Sequence, residues 1–234
     1  MQTITILIGA GISAESGLGT FRSRDGIWEK YDLAKVATPE AFAADPDMVH
    51  TFYNLRRESC LKAQPNAAHR ALARLQREWT GEVVIVTQNV DDLHERGGTA
   101  GVLHMHGELM CARCAECGHR WPAPLAMHTM DPCPKCARQA TRPDVVWFGE
   151  YPRSGDEISL ALQRSDLFVV IGSSGQVYPA AGYLEVATRA RIQTLEINLE
   201  RNGQDFGRGI YGLATKTVPA WVDEMLREGL IVRT

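Results

Sequence analysis

An α/β fold is predicted from this sequence: a parallel sheet with helices on both faces, accompanied by a smaller domain. Three observations predict it. Short apolar runs suited to buried strands recur at Thr3 to Ile8, Val83 to Thr87 and Leu167 to Ile171. In the second half of the chain, segments with helical spacing alternate with such runs, the pattern of parallel strands joined by helical crossovers. A glycine turn directly follows the first run.

Taken in order, TITILI enters the GAG turn and ISAES opens the next helix. From Gly17 to about Ala37, glycine, charge and aromatics mix without period, which reads as a long functional loop. Thr38 and Pro39 form an N-cap followed by an N1 proline. A second helix runs from about Pro46 to Ala63, with Met48, Phe52, Leu55 and Cys60 at helical spacings, and Asn66 caps a third bearing Leu72 and Leu75. Val83 to Thr87 and Val102 to Met105 are the next strands, separated by TQNVDDLHER. A cysteine-rich excursion, Glu108 to Pro143, interrupts the sheet before Val145 to Phe148. Then follow a helix near Asp156 to Arg164, strand Leu167 to Ile171, helix Ala180 to Arg191, strand Thr194 to Ile197 and a last helix after Pro219. Residues 1–26, 81–107 and 144–234 are therefore expected to form the sheet domain. The mainly helical insertion 27–80 and the excursion 108–143 lie outside it.

The chain has 234 residues, 44% of them hydrophobic, enough for one large core and a satellite module. Net charge is -3 with Lys and Arg scattered, so no nucleic-acid partner is expected. The apolar stretch Thr3 to Ile12 lacks a preceding Lys or Arg and reads as a buried strand, not a signal peptide. No other apolar run approaches the roughly 18 residues that span a bilayer, so no membrane association is expected. Six cysteines without a secretion signal point to reduced thiols or a metal site, and to a cytoplasmic location. Nothing argues against a monomer.

Gly9, Gly11 and Ala14 fit G-x-G-x-x-G/A, a Rossmann-like dinucleotide turn. The first glycine makes the turn, the second admits a pyrophosphate, and the alanine lets the helix pack closely. A bare strand-to-helix turn is the competing reading. The acid expected about 20 residues on is missing, because Trp28 to Asp32 reads as loop, and this disfavours a hydride-transferring dehydrogenase. Cys114-x2-Cys117 and Cys133-x2-Cys136, fifteen residues apart, match a four-thiolate zinc site. Four protein ligands close the tetrahedron, so such a zinc is structural. Cys111 makes a further C-x2-C with Cys114 and stays open as a substitute ligand; Cys60 reads as packing.

GAGISAESG, TFRS, TQNVD, HGEL, the paired C-x2-C and VVWFGE occur in this order over nearly the whole chain. The sequence thereby resembles the sirtuins. YNLRR and VYPAAG are similar to the class III, desuccinylase-type members, especially the short bacterial CobB-like ones. Gly19, where many relatives have proline, departs from the pattern and implies a more flexible loop.

The resemblance implies that the insertion 27–80 and the excursion 108–143 together form the smaller domain, with NAD and an acyl-lysine meeting in a cleft between it and the sheet domain. It assigns NAD contacts to Gly9, Ala10, Gly11, Ile12, Ser13, Ala14, Glu15, Ser16, Gly17, Thr20, Phe21, Arg22 and Trp28 in the first loop. Gln88, Asn89, Val90 and Asp91 would meet the nicotinamide and its ribose; Gly172, Ser173 and Ser174 phosphate and ribose; and Asn198, Leu199, Glu200 and Ala214 the adenosine. Val145, Trp147, Phe148 and Gly149 would meet substrate. His106 matches the general base that takes a ribose proton, and the products are lysine, nicotinamide and acyl-ADP-ribose.

From the residues alone His106 competes with His104, since positions two apart on a strand share a side, and Asn89 and Asp91 read equally as turn and cap residues. Tyr53 and Arg56, three apart on a helix, share a face and with the Y-x-x-R match would clamp the carboxylate of a succinyl-type group. An arginine stem lying over an ordinary tyrosine is the alternative. Protein ADP-ribosylation and a non-catalytic NAD or zinc sensor are the functional alternatives.

Overall fold

A computed structural model describes residues 1–19 and 31–230. In chain order the elements are β1 (Thr3–Ile8), α1 (Gly11–Ala14), α2 (Leu33–Val36), α3 (Pro39–Ala44), α4 (Pro46–Lys62), α5 (Ala67–Glu78) and β2 (Glu82–Thr87). Next come α6 (Leu93–Arg96), β3 (Leu103–His104), β4 (Gly107–Cys114), β5 (Arg120–Pro122), β6 (Thr141–Val145), α7 (Gly155–Gln163) and β7 (Leu167–Ile171). A 3-10 turn (Ala180–Gly182), α8 (Tyr183–Arg189), β8 (Gln193–Asn198), β9 (Arg208–Tyr211) and α9 (Ala214–Glu228) complete the described chain.

The main sheet is parallel, in the order β3-β2-β1-β7-β8-β9. β1 lies at its centre, with Ile6 opposite Ile85 and Val169, and all six of its residues are buried. Its unbroken apolar run follows from that position, since helices cover both faces. On one face Ile4, Ile6 and Ile8 pack with Leu72 and Leu75 of α5 and Val218, Trp221 and Met225 of α9. On the other, Leu7, Val86, Phe168 and Val170 meet Ile158 and Leu162 of α7 and Leu184 of α8. Burying each such side chain contributes about 1.5–3 kcal/mol.

A second, antiparallel sheet in the order β5-β4-β6 carries the cysteines. A third core joins it to the helical insertion, where Phe52, Tyr53 and Cys60 of α4 meet Leu109, Val145 and Trp147. The helix starts follow the sequence. Thr38 Oγ1 accepts from Ala41 N at 3.0 Å ahead of Pro39, and Asn66 and His69 form a reciprocal capping box.

Several elements differ from expectation. Val145 to Phe148 does not rejoin the main sheet: the strand is Thr141–Val145, antiparallel to β4, and the chain then turns, with Phe148 N donating to Ala37 O. The last helix begins at Ala214, five residues before Pro219. One lost backbone donor is outweighed by the face Val218, Trp221, Val222 and Met225 that packs against α5 and the sheet. β9 was not expected, because its four residues include a glycine and lie mostly exposed; parallel pairing with β8 creates it. ISAES yields only one helical turn, Ala180 to Arg191 is a 3-10 turn followed by a two-turn helix, and Leu33–Val36 adds a helical turn inside the expected loop. Leu55 is exposed despite its helical spacing. Among the described residues no helix is long and apolar enough to cross a membrane.

Candidate active site and metal centre

The strand order reverses between β1 and β7, so the connections leaving these two strands diverge and open a crevice at their carboxyl ends. The turn after β1 and the loop after β7 meet there. Gly9 N donates to Ile171 O at 2.8 Å and Gly11 N to Gly172 O at 2.9 Å. A Cβ on Gly9 would lie 2.6 Å from Gly172 O, and one on Gly11 2.8 Å from Gly172 Cα. Gly172 itself has φ +63°. The glycines are thus required first by backbone meeting backbone, which keeps the crevice floor free of side chains. Ile12 and Ser13 are buried beneath it, whereas Ala14 is exposed.

Polar side chains from the segment that follows β2 line the edge of this floor. Asn89 Nδ2 donates to Gly9 O at 3.2 Å and Ser13 Oγ at 3.3 Å, and Ser13 Oγ donates to Asp91 Oδ2 at 3.1 Å. Gln88 Nε2 reaches Ser173 Oγ at 3.0 Å. Burial pushes the Asp91 carboxyl up, opposed by hydrogen bonds from Leu93 N–H and the Ser13 hydroxyl. Val90, half-buried, packs toward the third core.

His106 stands beside this cluster with Nδ1 3.0 Å from Gln88 O. A carbonyl only accepts, so Nδ1 carries the proton and the free lone pair is on Nε2. Burial holds this imidazole below its ordinary value, partly offset by the carbonyl. His104 does not share its surroundings, because β3 ends at His104 and the backbone turns before Gly107, at φ +81°. His104 Nε2 instead meets Glu95 Oε1 at 2.7 Å. Burial alone lowers that imidazole, but the Glu95 carboxylate raises it on balance.

At the end of β8, Asn198 Nδ2 donates to Ser173 O at 2.9 Å and to Glu196 Oε1 at 3.2 Å. Ser174 is half-buried on the same loop, Leu199 and Glu200 are exposed just beyond, and Ala214 opens α9. The Glu15 carboxylate accepts from Thr215 N at 2.9 Å and Thr215 Oγ1 at 2.6 Å, capping α9; Ser16 Oγ accepts from Asn66 Nδ2 at 3.0 Å. Ala10 is half-buried on the turn and Gly17, at φ +87°, exposed. Thr20, Phe21, Arg22 and Trp28 lie outside the described residues. A crevice with a side-chain-free floor, a glutamine and an asparagine at one end and Asn198 at the other suits an extended dinucleotide.

On the other side of His106, Val146 N donates to His106 O at 2.9 Å, which ties the segment after β6 to the histidine. Val145 and Trp147 are buried there, while Phe148 and Gly149 are exposed. Tyr53 is 1% exposed, and its hydroxyl accepts from Trp147 Nε1 at 2.9 Å. The Arg56 guanidinium carbon lies 5.7 Å from the Tyr53 ring centroid, so the two do share a face of α4. Burial lowers the Arg56 pKa, and Tyr53 is the first of the groups that support its charge.

Four sulfurs gather at the far end of the small sheet. Cys114 and Cys136 Sγ are 3.7 Å apart, as are Cys117 and Cys133 Sγ, and all four lie within 4.8 Å of one another with no disulfide. Zinc bound tetrahedrally at about 2.3 Å sets its sulfurs about 3.8 Å apart, so the cluster fits a structural zinc. Cys111 is not part of it. Its thiol, pushed up to about 11 chiefly by burial, faces Glu108 Oε2 at 3.7 Å.

Sequence reasoning missed Asn66, whose Oδ1 caps α5 while Nδ2 donates to Ile12 O at 2.8 Å, pinning the insertion to the crevice floor. The N-cap signal was visible, but its second partner was not. Also missed were Glu196, fully buried under Asn198 and Asn202 N, and Asp144, which accepts from Arg120 Nε at 2.5 Å and Arg153 Nη1 at 2.8 Å.

A model of the Sir2 family matches residues 9–179. An NAD-dependent protein deacylase of Caulobacter vibrioides is 53% identical, covering 97% of this chain and 98% of its own length. The NAD-dependent protein deacylase SIR2rp3 of Leishmania major is 50% identical, with 98% of each chain covered. A solved complex of a Sir2 homologue with NAD is 36% identical, with a TM-score of 0.87 over 98% of this chain and 91% of that one.

Proposed function

The chain belongs to the Sir2 family, and from that premise we propose that it is an NAD-dependent protein-lysine deacylase that transfers the acyl group to ADP-ribose. The observation that carries the reading is the His106 to Gln88 O hydrogen bond, which fixes a basic Nε2 beside the polar cluster of Gln88, Asn89, Ser13 and Asp91. Relatives of nearly equal length bear the deacylase name, which supports it.

When bound, NAD supplies an electrophilic ribosyl carbon as its cationic nicotinamide departs, a centre that the acyl-lysine carbonyl oxygen can capture. Gly9 to Gly17, with Gly172 to Ser174 and Asn198, hold the dinucleotide. Gln88 to Asp91 orient the nicotinamide end and exclude water. His106 Nε2 takes the proton of a ribose hydroxyl, and its lowered pKa keeps it unprotonated at neutral pH. The helical insertion and the cysteine sheet form the wall against which the acyl-lysine lies. There Tyr53 and Arg56 favour acyl groups ending in a carboxylate, such as succinyl, while acetyl is also accepted. The protein acts as a cytoplasmic monomer on acylated proteins, without nucleic acid.

Hydride transfer is disfavoured because β2 runs into Gln88, not into an acid that would take a ribose hydroxyl. The test is mass spectrometry of matched acetyl- and succinyl-lysine peptides, with and without NAD, alongside released nicotinamide. Acyl loss that requires NAD and equals nicotinamide release is expected. Nicotinamide without acyl loss replaces the proposal with ADP-ribosylation or NAD hydrolysis, and neither change leaves a sensor.

A further inference from the structure

We propose that Trp147 is a positioning residue for acyl specificity: its indole N–H fills the acceptor side of the Tyr53 hydroxyl and turns that hydroxyl into a dedicated donor to the acyl carboxylate. The inference rests on the Tyr53/Arg56 reading and goes beyond it. A phenol hydroxyl both donates and accepts, so by itself it does not discriminate a carboxylate from a neutral carbonyl or a water molecule. Here Trp147 Nε1 donates to it at 2.9 Å in a buried contact, and among the described residues no acceptor takes its hydrogen. Arg56, alongside on the same helix face, is itself only a donor. The Arg56 side chain also hydrogen-bonds the Tyr53 side chain, so a hydroxyl whose acceptor side is filled stands beside a guanidinium, a pairing that suits an anionic oxygen and leaves a methyl unserved.

The indole is held for this task. Arg142 stacks over the Trp147 ring with its guanidinium carbon 3.4 Å from the centroid, and Glu150 grips that guanidinium at 2.6 and 2.9 Å. Glu150 Oε2 also accepts from Trp147 N at 2.9 Å, so one carboxylate fixes both the cation above the ring and the backbone that carries it. Trp147 is 3% exposed and packs in the same core as Tyr53.

The experiment measures kcat/KM for matched succinyl- and acetyl-lysine peptides with Trp147→Phe, Tyr53→Phe and the double variant, using zinc content and thermal unfolding as checks on folding. Trp147→Phe is expected to lower the succinyl-to-acetyl ratio about three- to tenfold, the range of an ordinary hydrogen bond, mainly through the succinyl KM. In the Tyr53→Phe background it should produce no further change in the ratio. A ratio unmoved by Trp147→Phe but lowered by Tyr53→Phe overturns the inference alone, as does an effect that persists undiminished in the double variant. A ratio unmoved by Tyr53→Phe overturns the clamp and the inference together. Should Trp147→Phe not fold, benzothienylalanine at position 147 removes only the N–H at constant shape and is read against the same outcomes.

Discussion

His106 Nδ1 lies 3.0 Å from the backbone oxygen of Gln88, and this one contact fixes both the tautomer and the orientation of the imidazole. It couples the proposed base to the segment that would hold the nicotinamide. A base works only unprotonated, and burial lowers the pKa of this one, so activity should persist below the ordinary histidine value. The acid limb of kcat/KM against pH is therefore expected below about 6.5. His106→Ala should cut acyl loss about 10²- to 10⁴-fold. Because the ribose proton is needed only after nicotinamide has left, nicotinamide exchange should suffer less. A limb at or above the ordinary value, or retained turnover in the variant, argues against His106 as the base.

The cysteine cluster gives a prediction that does not depend on activity. One zinc per chain should be found by elemental analysis, and Cys117→Ser or Cys136→Ser should lose it together with a cooperative part of the unfolding transition. Cys111→Ser should keep it, since that thiol faces Glu108 and not the other sulfurs. Loss of zinc in Cys111→Ser would reassign the ligand set.

Much of this was legible beforehand because it depends on local spacing. The buried runs of β1, β2 and β7, the Thr38 and Asn66 caps and the paired C-x2-C each announce themselves within a few residues. What stayed hidden depends on partners distant in the chain. Glu15 caps a helix 200 residues away, Asn66 reaches the floor of the crevice, and Tyr53 meets an indole 94 residues on. The motif assigns the turn to Gly9 and room for a pyrophosphate to Gly11. Their nearest neighbours are atoms of Gly172 and, for Gly9, also Ser173, which no local pattern reveals.

Gly172 and Gly101 separate the two costs that a glycine can hide. Both have φ +63°, so alanine at either position carries the left-handed penalty of about 1–2 kcal/mol. Around Gly101 nothing lies within 4 Å of the added Cβ, whereas at Gly172 it would stand 2.7 Å from Ile12 N and 2.9 Å from Gly11 C. Gly172→Ala should therefore unfold at clearly lower denaturant than Gly101→Ala and raise the KM for NAD, since the floor of the crevice must open to admit it. Equal midpoints for the two variants would show that the close approach carries no energetic weight.

Two histidines should govern stability in mild acid. His69 and His94 are fully buried with rings 4.9 Å apart; burial first, then neighbouring charge, lowers them to about 4 and about 3. The unfolded chain takes up these protons near pH 6.5 and the folded chain does not. Stability is then fully present above that pH and falls as pH drops toward the folded values. Between pH 7.5 and 5 the two histidines together should cost about 2–4 kcal/mol in urea unfolding. A flat profile over this range would mean that the pair is already protonated, or solvated, in the folded protein.

Arg56 is the group whose removal most directly tests the acyl preference. Its guanidinium shares the face of α4 with Tyr53 and is supported electrostatically by that phenol and then by Asp91. A charged hydrogen bond to a carboxylate is worth about 1.5–3 kcal/mol, which corresponds to roughly ten- to a hundredfold in rate. Arg56→Met keeps most of the aliphatic stem, so packing against Phe52 and Tyr53 changes little while the charge disappears. The succinyl-to-acetyl ratio of kcat/KM should fall by that factor, with the succinyl KM rising most, because the contact lies remote from the reacting carbonyl and serves binding. Salt should weaken the wild-type preference only slightly, since the pair forms in a buried setting where screening is poor. If Arg56→Met lowers both substrates equally, the arginine is a packing residue and the carboxylate preference has to come from elsewhere.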